Sequence, residues 1–191
     1  MRLLKRFVQY YKPYRFLFAL DMFSALVLSA VDLAFPQILN YLTKDLFTRE
    51  KEVILRSLLY IGMGLLILYV IKYFSRYFIT SWGHIMGARM EADMRRDLFD
   101  HFQRLSFSYY DKSNTGEMMS RVVVDLNDIS ELAHHGPENI LISSLKIIGS
   151  FVLLFLIHPP MTLQLFAVTL IMLIFSIQRN FKMRAVYMDN R

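Results

Sequence analysis

The chain has 191 residues, 55% of them hydrophobic and 15% aromatic, with a mean hydropathy of +0.35; that is too apolar for a soluble domain of this size, so a membrane protein is the first class to test. The net charge is +6, but Lys and Arg do not gather into the single basic face that a nucleic-acid binder needs, so no nucleic-acid partner is expected. Cysteine is absent, which excludes disulfides and thiolate metal sites.

Residues 1–15 carry Arg2, Lys5, Arg6, Lys12 and Arg15 with no acid, and read as a basic lead-in segment. An apolar run over 16–42 follows, interrupted by Asp21, Asp32 and Pro36. It exceeds the roughly 20 residues that cross a bilayer and is too long for the core of a cleaved signal peptide, so a retained span is expected. After a mixed-charge loop over 43–52, a second span runs over 53–78 and closes in aromatics such as Tyr69, Tyr73, Tyr77 and Trp82, the composition of an interfacial belt. A polar interval, 84–138, separates it from a third span over 139–157. His158, Pro159 and Pro160 predict a tight turn into a fourth span over 161–177, and a basic tail ends the chain. The lead-in, the end of the second span, the polar interval and the tail hold 17 of the 22 Lys and Arg; Lys44, Arg49, Lys51 and Arg56 lie on the other side, and Lys146 within a span. The positive-inside rule then places both termini and the interval in the cytoplasm.

Within the interval two stripes converge. Met86, Met90, Met94, Leu98, Phe102 and Leu105 recur at spacings of four and three, and Met119, Val122, Leu126, Ile129 and Ala133 at three and four, so two helices can face each other. Glu91 and Arg95 stand four apart with the acid first, a pairing that suits a helix side in water. If the outgoing helix is continuous from Glu117 to Ile157 it is about 60 Å long, twice the hydrocarbon thickness, so helices two and three extend beyond the membrane. Between them lies the turn Ser108, Tyr109, Tyr110, Asp111, Lys112, Ser113, Asn114, Thr115 and Gly116. Ser108 and Asp111 have capping-box spacing, Thr115 is placed to cap the outgoing helix, and Asn114 and Gly116 break the short turn before it. On residues alone this is a surface turn joining a helical hairpin.

No Gly-x-x-x-x-Gly-Lys loop is present to cradle phosphates, and no catalytic triad can be assembled. His134 and His135 read as helix-end or partner contacts rather than metal ligands, because consecutive helical residues point apart. An acid or a lysine near the middle of a span costs about 2.5 to 3.5 kcal/mol on insertion scales, so Asp21, Asp32 and Lys146 are expected to face protein or water. Asp21 is placed within reach of Lys72 or Arg76, and Asp32 at a depth where Lys146 can pair with it; inter-helix pairing and a substrate pathway are both open to these groups.

The succession Gly87-Ala-Arg-Met-Glu-Ala-Asp-Met-Arg-Arg-Asp-Leu-Phe-Asp-His-Phe-Gln-Arg-Leu-Ser106, then Phe107-Ser-Tyr-Tyr-Asp111, Gly116-Glu-Met-Met-Ser-Arg121 and Asp125, resembles the first intracellular loop of ATP-binding-cassette exporters. The resemblance covers the chain in order, from lead-in through two spans, long loop and two further spans. It implies an all-α polytopic fold, with residues 16–191 forming part of a transmembrane domain that has six spans in that family. It also implies that Ser108 to Gly116 is a coupling helix resting on nucleotide-binding domains, which would carry the ATP and Mg²⁺ outside this chain. Further implied are a second transporter half, an exported substrate and a place in the plasma membrane. The competing readings are a stand-alone four-span protein whose hairpin docks a partner, and a small proton-coupled carrier using Asp32 and Lys146.

Overall fold

The computed structural model describes residues 2–112 and 114–189, with the side chains of all of these except 2–4, 112, 115 and 184–189. Among the described residues there are α-helices and no strand: α1 (Arg2–Gln9), α2 (Arg15–Tyr41), α3 (Lys51–Phe78), α4 (His84–Gln103), α5 (Phe107–Lys112), α6 (Thr115–Ser120), α7 (Leu126–Ile157) and α8 (Pro159–Asp189). Single π turns, Ile79–Gly83 and Arg121–Asp125, join α3 to α4 and α6 to α7. Helical chain therefore runs unbroken over Lys51–Gln103, 53 residues, and over Gly116–Ile157, 42 residues. At ~1.5 Å per residue the first is about 80 Å long, far more than the roughly 30 Å of a bilayer core. Four helical stretches are long and apolar enough to cross a membrane, which makes the chain the all-α, multi-pass membrane protein that its sequence predicts.

The chain divides into two compact units, 1–145 and 146–191. In the first, the i, i+4 spacing of Met86, Met90 and Met94 puts all three thioethers on one face of α4, where they are buried with Leu126 and Ala133 of α7. Phe7, Tyr11, Leu17 and Phe18 close over this core from the lead-in segment and the start of α2. Nearer the opposite end of α2, Phe35 meets Tyr69 of α3 edge to face at 6.4 Å, and Ala25, Leu28 and Ile79 form a second small core with Leu141 and Ile142. No residue of α3 is buried, and side chains such as Leu59 and Leu66 are 65% and 67% exposed. So much bare apolar surface on one helix is what lipid or further spans cover.

The second unit holds the end of α7 and α8. His158 stops the first and starts the second: its carbonyl accepts from the Thr162 N–H and hydroxyl, its Nδ1 accepts from the Met161 N–H, and Pro159 occupies the first helical position, where its missing N–H costs nothing. Phe151 and Phe166 pack edge to face at 5.4 Å within this unit. The helix begun at Pro159 does not end at residue 177 but continues to Asp189.

Candidate functional site

The turn between α4 and α6 contains a second short helix, α5, and its ends differ from the sequence-based expectation. It starts at Phe107, so Ser108 lies inside its first turn and not ahead of it. The cap of α6 is Asn114, not Thr115: its backbone is extended (φ −80°, ψ 113°) and its Oδ1 accepts the Gly116 N–H at 2.9 Å. Asn wins because its carbonyl oxygen reaches two residues ahead while its own backbone is still outside the helix. Gly116 has no left-handed backbone to justify it; what it provides is room, since a Cβ there would stand 3.2 Å from the capping oxygen. Ser113 lies outside the described residues, and of Lys112 and Thr115 only the backbone is described.

The two tyrosines of α5 cross edge to face at 5.9 Å. Tyr110 turns back toward α4, its hydroxyl donating at 2.5 Å to the Phe102 carbonyl, which also accepts the Leu105 N–H at 3.0 Å. Phe107 is the outward residue, 90% exposed. On the same loop Phe99, Phe102, Tyr110, Met118, Met119 and Val122, with Arg95 and Arg96, wall a mostly apolar groove of about 560 Å³ between α4 and the start of the outgoing helix. Ser108 and Asp111 are exposed on the same short helix. Phe107 was missed as a candidate because it stands one residue before the capping-box pattern and looks like the end of the preceding apolar stripe.

Further from the turn the loop is strapped to the lead-in segment. The Tyr10 hydroxyl donates to Asp97 at 2.7 Å and the Tyr14 hydroxyl to Asp93 at 2.8 Å, two rungs joining pairs of residues that are each four apart. Between them the Tyr11 hydroxyl donates to the Ala133 carbonyl at 2.5 Å. That carbonyl is free because the residue four ahead is Pro137, which has no N–H to give it. The lead-in is thus a belt of three tyrosines and not merely a basic stretch.

Of the charges within the spans, Lys72 has a different partner from the sequence-based expectation. Lys72 belongs to Asp32, with Nζ 2.5 Å from Oδ1, and not to Asp21. Side chains on a helix lean toward its N-terminus, so a lysine on α3 reaches back about a turn toward Leu68 and the level of Asp32, with its ammonium 5.7 Å from the centre of the Tyr69 ring. Lys146 begins the second compact unit. Asp21 is 1% exposed, and neither of its carboxylate oxygens has a hydrogen-bond partner among the described residues. It lies across Gly83 from His134, itself 2% exposed. The rings of His134 and His135, expected to diverge, sit with centroids 3.9 Å apart, and His84 closes on both at 4.5 and 5.1 Å. Rotation about the side-chain bonds overcomes the backbone's divergence.

Four membrane-length apolar helices with a long helical loop between the second and third define a polytopic helical membrane protein. The chain belongs to the family of the ABC transporter transmembrane region, which it matches over residues 18–188. It is 38% identical over 186 residues to the uncharacterized ABC transporter ATP-binding protein YwjA of Bacillus subtilis, covering 97% of this chain and 32% of that protein. It is 30% identical to YknV, another uncharacterized ABC transporter ATP-binding protein of B. subtilis, over 94% of this chain and 30% of that one. To the ATP-dependent lipid A-core flippase of Shewanella oneidensis it is 28% identical, over 79% of this chain and 28% of the flippase. The chain thus spans about a third of the length of the curated relatives it matches.

Proposed function

We propose that this chain is membrane-embedded machinery of an ATP-driven exporter, in which the turn carried by α5 receives the motion of a nucleotide-binding domain and α4 and α7 pass it to the spans. The observation that carries this is the exposed apolar tip of an otherwise well-packed helical pair. Phe107 stands almost wholly in solvent on a helix pinned from behind by the Tyr110 hydroxyl, and a mostly apolar groove opens between α4 and the start of the outgoing helix. An aromatic side chain presented in this way on a rigid support suits an anchor for a partner's pocket. Relatives named for ATP binding and for ATP-dependent lipid A-core flipping support ATP as the energy source.

On this reading residues 16–191 are part of a transmembrane domain preceded by the basic segment 1–15, and the spans line a pathway completed by a second transporter half. The loop and both termini face the cytoplasm across a plasma membrane, as the distribution of Lys and Arg favours. These 191 residues contain no cysteine, so only cysteines elsewhere in the complete transporter need replacing before the test. In the complete transporter, Phe107→Cys should cross-link to the nucleotide-binding domain, and a membrane-impermeant thiol reagent should reach Thr48→Cys but not Phe107→Cys in intact cells. Phe107→Ala should leave nucleotide binding intact and lower the substrate moved per ATP hydrolysed in reconstituted vesicles. Labelling of Phe107→Cys from outside would overturn the orientation, and an unchanged transport ratio in Phe107→Ala and in a Phe107→Ala, Tyr109→Ala double variant would overturn the coupling role.

A further inference from the structure

At the other end of the loop, the geometry points to a transition-metal site: His84, His134 and His135 bind Zn²⁺ and so fasten α4 to α7, with the Asp21 carboxylate beside them. The ligand nitrogens of the three rings lie within 4.8 Å of one another, where small ring rotations bring them to the ~3.3 Å separation of nitrogens about 2.0–2.1 Å from a tetrahedral ion. His134 is set up as a ligand. Its Nδ1 faces the Ser130 carbonyl at 3.3 Å, which holds the proton on that nitrogen and leaves the lone pair on Nε2. That Nε2 is buried and has no hydrogen-bond partner among the described residues.

The anion beside it is equally unsatisfied. Among the described residues neither buried Asp21 oxygen has a hydrogen-bond partner, and a Cβ built on Gly83 would be 3.4 Å from Asp21 Oδ1 and 3.6 Å from His134 Cδ2, the atom bonded to Nε2. An uncompensated buried carboxylate and an idle buried imidazole nitrogen, side by side, are each costly alone. A divalent cation answers both at once. His135 carries an outer carboxylate of its own, Glu138 at 3.4 Å from Nδ1, itself only 8% exposed. His84 is exposed and gives the ion a way in. Imidazoles with a nearby carboxylate and no thiolate suit Zn²⁺ rather than Mg²⁺ or Ca²⁺. Gly87 keeps the helices close enough for this, since a Cβ at that position would be 2.9 Å from His134 Nδ1.

The test uses the whole protein, purified in detergent through a tag without histidines, stripped with chelator and titrated with Zn²⁺ against a chromophoric competitor. One tight Zn²⁺ per chain is expected, together with the intense visible bands of tetrahedral Co²⁺ when cobalt replaces it. His134→Ala should weaken binding by at least about 100-fold, and Glu138→Gln by about 10-fold as an outer partner. Because His134 is buried, His84→Gln is the decisive variant: the exposed ring contributes little to packing, so the metal-free melting temperature should stay at the wild-type value while the Zn²⁺-induced rise disappears. Gly87→Ala should also lower the affinity by displacing His134. Wild-type protein that takes up no stoichiometric Zn²⁺ would overturn the site. So would Zn²⁺ affinity and thermal shift that are unchanged in both His84→Gln and His135→Gln, which would place bound metal elsewhere on the chain.

Discussion

The two ends of the long loop have similar composition and opposite environments. At its root Met86, Met90 and Met94 are at most 7% exposed, closed over by α7 and the tyrosine belt. At its tip Phe99, Phe107 and Met119 are 55%, 90% and 58% exposed. The root has found its partners within the chain, and the tip has not. In the coupling we propose, the packed root is what would deliver a force applied at α5 to the spans. This is the physical content of the coupling proposal.

Stability measurements can break that comparison, with the fluorescence of Trp82, the only tryptophan, as the probe of thermal unfolding in detergent. The largest effect is expected at the root, where Met90→Ala removes a wholly buried side chain and should cost about 2–5 kcal/mol. Tyr11→Phe comes next, leaving the Ala133 carbonyl without its donor in a half-buried setting, at about 1–3 kcal/mol. Asn114→Ala should cost about 1 kcal/mol through loss of the α6 cap. Phe107→Ala should lie within about 0.5 kcal/mol of wild type, as surface substitutions do. If Phe107→Ala destabilised the protein as much as Met90→Ala, the tip would be part of a core and the contrast would fail.

Much of the root was legible in the sequence because packing follows period. Methionines four apart on the incoming helix, and Leu126 and Ala133 seven apart on the outgoing one, meet as their spacing requires. The same logic could have found the belt, since Tyr10 and Tyr14 match Asp93 and Asp97 in spacing, but nothing local says that segments some 80 residues apart lie alongside. The partner of Lys72 was misassigned because backbone depth was compared and the lean of a long side chain was not. The cap fell to Asn114 over Thr115 by one residue, the usual uncertainty of helix ends. The histidine cluster was invisible for a different reason. Two of its members looked divergent on their own helix, and the third, His84, comes from another helix about 50 residues earlier, so only tertiary structure assembles it.

The π turns at Ile79–Gly83 and Arg121–Asp125 have a consequence for how sequences of this kind can change length. A π turn holds one residue more than the α-helix around it, and one residue corresponds to about 100° of rotation. At Ile79–Gly83 the wider turn absorbs that residue, so α4, with its inward methionine face, keeps its phase against α3, which has no buried residue. Removing one residue there would tighten the turn to ordinary α geometry and leave Met86, Met90 and Met94 close to their place in the core, whereas a deletion within α3 or α4 itself would swing everything beyond it by about 100°. A single-codon deletion in this stretch would therefore keep both the helix and its inward face, which makes these five residues a joint where the chain can lose a residue that neither flanking helix can spare.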